Sequence, residues 1–189
     1  DSILSNFSVG KRLCFLGSII GALNLDIVIE SSKNLPEYQF IFVGNVYYQN
    51  DSVLDMKVKK LLERTNVYQI GPFQTDLLPY ILQRMNIFLL LYDCSDQIWT
   101  YYSSPAKLFE YMALGKPIIS TPHPFIQEYS ELVHIAANVE EFCNHVHDIS
   151  ENHYDIKQKL RMYDVAQKQL WSNKMNLILK DLNDTAISR

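Results

Sequence analysis

The 189-residue sequence has no excess of basic charge: 17 Lys and Arg stand against 21 Asp and Glu, for a net charge of −4. A nucleic-acid-binding domain usually carries a basic face, and no basic stripe with interleaved aromatics occurs, so nucleic acid is not an expected partner. Cysteine is scarce. Cys14, Cys94 and Cys143 lie far apart with no CxxC spacing, which excludes a disulfide framework and fits reduced thiols in a cytoplasmic setting. Cys14 falls in a predicted core strand, as a small buried hydrophobe. No apolar run reaches the ~18 residues that span a bilayer, and no secretory signal is visible. No Ser-His-Asp, Cys-His or paired-carboxylate constellation can be assembled, so the catalytic residues stay unassigned. No metal site is expected either: His145 and His147 lie two apart on a predicted helix and face different directions, and His123 has no partner carboxylate. No low-complexity linker interrupts the chain.

What is present has ordinary globular proportions, 48% hydrophobic and 20% charged. A chain that begins at Asp1 reads as a piece or processed form of a longer protein. Short apolar runs at Leu13–Leu16, Phe40–Val43, Val67–Ile70, Ile87–Leu91, Ile118–Ser120 and Leu132–Ala136 predict strands buried on both faces of a parallel sheet. Between them, Leu25, Val28, Ile29 and Leu35 give one helical face. Leu54, Val58, Leu61 and Leu62 give another, capped by Asp51 or Ser52. A less regular helix is expected over about Thr75–Met85. This alternation predicts an α/β fold: a doubly wound, parallel six-stranded sheet, Rossmann-like, followed by a C-terminal helical tail. In the tail, Ile156, Leu160 and Tyr163 fall on one side, and Trp171, Met175, Ile178, Leu179 and Leu182 continue an apolar stripe.

Gly17, Gly44 and Gly71 end the first three strands at an equal spacing of 27. Carboxyl ends of parallel strands line the ligand crevice of such sheets. Gly44 is expected only to make a turn. The turn Gly17-Ser18-Ile19-Ile20-Gly21-Ala22 is placed like a phosphate-cradling loop but lacks full GxGxxG spacing.

The densest pattern is Ser103-Ser104-Pro105-Ala106-Lys107-Leu108-Phe109-Glu110-Tyr111-Met112-Ala113-Leu114-Gly115-Lys116-Pro117. Ser104 suits an N-cap, Pro105 the first helical position, and Gly115 the residue past the last turn. Lys107 in a first turn opposes the positive end of the helix dipole, which makes sense if an anion comes there. Glu110 is the only acid in an apolar stretch. Alternatively, Lys107 and Glu110 form a surface ion pair, in the weaker orientation.

This segment closely resembles the donor-site helix of GT-B glycosyltransferases, of the family 4/family 1-like group. The resemblance extends through Gly17-Ser18, the Gly71-Pro72-Phe73 turn and the late Trp171. It implies residues 10–152 as a Rossmann-like donor-binding domain. Residues 153–189 are then helices that pack on it and reach toward an N-terminal acceptor domain absent from this chain. Glu110 is expected to bind the ribose hydroxyls of a nucleotide-sugar, with a UDP-sugar favoured as substrate and no further cofactor. Lys107, with Ser103 and Ser104, is expected to hold the diphosphate. Gly17 and Ser18 close the opposite side, and Gly71 and Pro72 sit at the nucleobase. The acceptor can be membrane-associated, which extends the localisation to the cytoplasmic membrane face. The piece alone is expected to bind donor without turnover.

Two departures from the family stand out. No basic residue follows Gly17-Ser18 up to Asp26, where many relatives hold the diphosphate. Where many retaining members carry a first glutamate, this chain has Tyr102, which offers a hydroxyl or a stacking face. Two other readings remain: a sugar-nucleotide epimerase of the same architecture, and a non-catalytic α/β interaction domain. For a phospho-acceptor form of the latter, Asp93 and Asp96 follow the fourth strand, but no acidic pair follows the first.

Overall fold

The computed structural model describes residues 10–20, 22–48, 52–94, 99–152 and 155–187. Gly21, Asp51 and Asp96 lie outside the described residues. Six strands, β1 (Arg12–Leu16), β2 (Gln39–Val43), β3 (Val67–Ile70), β4 (Ile87–Leu90), β5 (Ile118–Ser120) and β6 (His134–Ile135), form one sheet in the order β3-β2-β1-β4-β5-β6. Every pairing is parallel. This is the doubly wound architecture expected from the apolar runs.

Period-2 alternation sends successive side chains to two separate cores. Leu13, Phe15, Phe40, Phe42, Ile87 and Leu89 face helices α1 (Leu25–Asn34), α2 (Ser52–Leu62) and α6 (Val139–Glu151). Cys14, Ile41, Val43, Phe88, Leu90 and Ile118 face α3 (Leu78–Leu82), α4 (Lys107–Ala113), α5 (Pro124–Gln127) and α7 (Ile156–Lys168). A last helix, α8, covers Trp171–Ile187. Burial pushes the Cys14 thiol up.

The structure revises several expected boundaries. β6 is only two residues long because the Leu132 and Val133 amides donate to Tyr129 O, at 2.8 and 3.0 Å, and so leave the ladder. α3 is confined to Leu78–Leu82. Pro79 lacks an amide hydrogen, and Arg84 and Met85 close tighter turns onto Ile81 O and Leu82 O. α4 starts at Lys107 with Ala106 as its N-cap residue, and no side chain caps it. Ser104 is therefore not the cap. Pro105 does open the preceding turn, accepting from Leu108 N at 3.1 Å. Gly115 follows the helix at φ 60°, as the pattern predicted.

The face that α7 buries is not Ile156, Leu160 and Tyr163, which are exposed. It is Met162 and Ala166, with Val165 partly covered, packed into the core that holds Leu108, Tyr111 and Met112 of α4. A methyl side chain at 166 permits the close approach that a bulkier residue would block. On α8, Trp171, Met175, Ile178 and Leu179 are all exposed, Trp171 at 80%.

Gly44 does more than turn the chain. Its φ is +153°, and a Cβ there would overlap the Gly17 carbonyl, lying 2.7 Å from its carbon. The ends of β1 and β2 touch only because neither carries a side chain at that point. Gly44→Ala should destabilise the fold by about 2 kcal/mol or more through this overlap and the positive φ. Denaturant unfolding of the variant against wild type measures the loss.

Candidate functional site

Parallel pairing of β1 with β4 extends only over Leu13↔Ile87 and Cys14↔Phe88. Helices leave the sheet to opposite faces on the two sides of this pair, so a crevice opens above their carboxyl ends. On β1, the Gly17 amide donates to Val43 O of β2 at 2.9 Å. Alternate amides face opposite neighbours, so Leu16 N faces the β4 side, beyond the last paired residue. There it donates to the Tyr111 hydroxyl at 2.8 Å. Tyr111 is fully buried, with its ring stacked on Phe88 at 4.3 Å and 12°. This contact fixes α4 against the end of β1.

The loop after β1 is held on both flanks. Ile19 N donates to Asn45 O at 2.8 Å and Tyr47 N to Ile19 O at 3.1 Å. On the other side, Asn24 N donates to Leu91 O at 2.8 Å and Asp93 N to Ala22 O at 2.9 Å. Gln69 Nε2 donates to Gly44 O at 2.5 Å and reaches Gly71 O at 3.4 Å, joining the second and third strand ends.

Lys107 lies one turn before Tyr111 on the same face of α4. Its side chain crosses Gly17: a Cβ on that glycine would sit 2.8 Å from Lys107 Cε and 3.2 Å from Nζ. The ammonium is thus held at the β1 turn. Glu110 is exposed. Among the described residues no ion pair joins Lys107 to Glu110, so the surface-pair alternative is not formed. A cleft of about 470 Å³ runs past Ser18, Ile20, Tyr92, Ser104, Lys107 and Glu110, within the range of roughly 300–1,000 Å³ typical of small-ligand sites. Among the described residues of its lining, Glu110 is the only carboxylate and Lys107 the only cation. A smaller hollow of about 190 Å³ shares Ser18 and continues past Gly17, Gly44, Asn45, Pro72 and Phe73.

The expected site residues distribute as follows. Ser18, Ser103, Ser104, Lys107 and Glu110 share the larger cleft. Gly17 and Pro72 line the smaller hollow, and Gly71 is exposed beside it. The Ser103 hydroxyl donates inward to Thr100 O at 2.8 Å. Tyr102 is 81% exposed on a 3₁₀ turn (Trp99–Tyr102), its ring against Tyr101, and is not part of the cleft lining. His123 is buried and structural. Its Nδ1 accepts from Phe125 N at 3.2 Å, which assigns the proton to Nε2, and Nε2 donates to Thr100 O at 2.8 Å. Thr100 in turn donates to Asp93 O. This lock ties the 3₁₀ turn to the end of β4. His145 Nε2 lies 3.1 Å from Ile135 O, and His147 meets the Tyr38 ring edge-on. Among the described residues no cluster of three potential metal-ligating side chains occurs.

Sequence reading missed Tyr92, Gln69 and Asn45. The signal for Tyr92 was its place two residues past β4, where it bridges to Leu23 of the β1 loop. The other two act through backbone neighbours that no residue pattern reveals.

The doubly wound sheet thus carries a cation and a carboxylate on one short helix, set against a Gly-Ser turn at the β1/β4 opening. The family described as "Glycosyl transferases group 1" matches residues 10–152, and the chain belongs to it. The chain is 27% identical over 183 residues to the putative teichuronic acid biosynthesis glycosyltransferase TuaH of Bacillus subtilis (strain 168), covering 90% of this chain and 43% of that protein. It therefore spans less than half the length of this curated relative. Its fold matches the C-terminal domain of a group 1 glycosyl transferase, LpcC, from Francisella tularensis, with TM-score 0.55 and 15% identity, covering 84% of this chain and 85% of that one. It also matches Anabaena Alr3699/HepE in complex with UDP-glucose, with TM-score 0.68 and 15% identity, covering 93% of this chain and 49% of that one.

Burial of His123 and His134 makes the fold acid-sensitive. Burial holds the His123 pKa below its ordinary 6.5, and burial together with neighbouring His145 does the same for His134. The unfolded chain therefore binds protons that the folded chain resists. Stability is complete above about pH 6.5 and falls as pH drops toward the depressed folded values, by up to ~1.4 kcal/mol per pH unit for each site. Urea midpoints between about pH 7 and 5.5 should decline, and the decline should flatten in His123→Gln.

Proposed function

We propose that this chain is the donor-binding half of a glycosyltransferase that moves a sugar from a nucleoside-diphosphate sugar to an acceptor in glycan or polysaccharide biosynthesis. The observation that carries this reading is the Lys107 side chain lying across Gly17 while Glu110, one turn on, stays unpaired with it in the same cleft. A cation at a Gly-Ser turn suits a diphosphate, and a carboxylate nearby suits the two hydroxyls of a ribose. In this assignment Glu110 accepts the ribose hydroxyls. Lys107, Ser103 and Ser104 hold the diphosphate, with Gly17 and Ser18 on its other side. Gly71 and Pro72 border the base, and Tyr102 offers a hydroxyl or ring to whatever enters from above. A UDP-sugar is the favoured donor. The UDP-glucose complex of HepE and the teichuronic acid role of TuaH support the donor class and the biosynthetic setting.

Residues 10–152 act as the donor domain in this reading, and residues 153–189 reach toward an N-terminal acceptor-binding half. The exposed apolar residues Trp171, Met175, Ile178 and Leu179 supply a surface for that contact. No helix among the described residues is long and apolar enough to cross a membrane. The proposed location is the cytoplasm, at the membrane face when the acceptor is lipid-borne.

Calorimetric titration with UDP, GDP and ADP tests the site. One nucleotide should bind, and Glu110→Ala should weaken it by about tenfold or more, the scale of hydrogen bonds to a charged group. Unchanged affinity in the variant would remove the ribose role from Glu110.

A further inference from the structure

We propose that the amino-terminal end of the sheet, opposite the cleft, holds a second ligand site that binds a phosphate-class anion. A cavity of about 250 Å³ lies there, where β1, β4 and β5 begin. It is smaller than the roughly 300–1,000 Å³ of sites that take whole small ligands, and so suits a single charged group. This inference is independent of the donor-site reading.

Three elements each bring one lysine to the cavity wall: Lys11 just before β1, Lys116 just before β5, and Lys159 on α7. Among the described residues of the lining there is no carboxylate. Two of the ammonium groups are pinned. Lys11 Nζ donates to Ser150 O at 2.5 Å, and Lys116 Nζ donates to Gln83 O and Met85 O. Ser150 and Met85 are themselves lining residues, so these two charges are fixed at the cavity instead of swinging into solvent. Lys159 is placed by packing: its Cβ lies 3.5 Å from where a Cβ on Gly115 would sit.

Helix capping accounts for part of this arrangement. Ser150 lies in the last turn of α6, and Gln83 and Met85 follow α3, so their carbonyls favour cations. Capping does not account for Lys159. It is the fourth residue of α7, near the positive end of that helix, whose first turn has no acid. Nor do carbonyls neutralise charge, and among the described residues neither Lys11 nor Lys116 pairs with a carboxylate. Like charges are therefore crowded. Burial first, then Lys159, hold the Lys116 pKa below its ordinary value. The wall also carries a polar group without a partner. Ser150 Oγ is buried with no hydrogen bond among the described residues, and native structures rarely leave such a group unmet. A phosphate oxygen accepts from hydroxyl and ammonium alike, and its charge relieves the crowding.

The test is calorimetric titration of the full-length protein with inorganic phosphate, at constant ionic strength in chloride, for wild type, K159Q, K11Q and K107Q. Lys159 and Lys11 are exposed, and urea midpoints check that their variants fold. Expected results are binding in wild type, affinity weakened by about tenfold in K159Q and in K11Q, and no change in K107Q, which alters only the cleft at the other end. No binding in wild type overturns the proposal, as does unchanged affinity in K159Q. Loss in K107Q alone also overturns it, by moving the anion to the cleft. Flotation with vesicles of phosphatidylcholine containing phosphatidic acid then reads the source of the phosphate. Vesicle binding that K159Q loses gives a lipid headgroup, and phosphate binding without vesicle binding gives a soluble phosphate compound; both uphold the site.

Discussion

One hydrogen bond between a strand amide and a phenol organises this molecule. β4 stops pairing with β1 at Cys14, which leaves Leu16 N facing a gap inside the protein. A buried amide without an acceptor costs about 1–3 kcal/mol, and the Tyr111 hydroxyl fills the need. Because Tyr111 belongs to α4, satisfying that one amide also sets the helix at a fixed height over the β1 end. Lys107 then falls across Gly17, and Glu110 is turned outward. Had β4 continued beside β1, the amide would have found a carbonyl, the two strands would have closed together, and no crevice would exist. The opening of the sheet and the placement of the two charged side chains thus have a common origin.

The inner strands β1, β2, β4 and β5 were legible in sequence because their central residues form runs covered on both faces, a pattern that needs no knowledge of the partner, whereas the edge strands β3 and β6 are only half-buried. The Lys107–Glu110 helix was legible because a lone acid amid apolar residues has no packing reason to be there. Other features depended on competition between partners. Ser104 has the chemistry of a cap, but the chain already turns at Trp99–Tyr102, where Ser103 bonds back to Thr100 O, and the helix starts two residues beyond Pro105. On α7, Ile156, Leu160 and Tyr163 form as good an apolar stripe as the true one. What selected Met162 and Ala166 was the shape of α4, which the α7 sequence does not contain. The role of Gly44 was hidden for a similar reason: the group that excludes its side chain is the carbonyl of a residue 27 positions away.

The site is built from segments that meet only in the folded state, braced by backbone–backbone hydrogen bonds and by uncharged side chains bonded to backbone groups. The β1 loop is tied to the loops after β2 and β4, and the 3₁₀ turn is tied to β4 through His123 and Thr100. Charge is thereby left unspent at the crest. The turn after β1 has no basic residue of its own up to Asp26, and the cation beside it, Lys107, is delivered across the cleft by α4.

The three thiols, finally, divide into a timer and two surface reporters. Cys14 lies at the middle of β1, paired on both sides and without solvent exposure, whereas Cys94 and Cys143 are partly accessible. Thiolate is the reactive form, and burial suppresses it at Cys14. An alkylating reagent should therefore modify two sites at the rate of local breathing and the third only when the central strands come apart. The chain carries its own clock for global opening, readable by mass spectrometry with no engineered label.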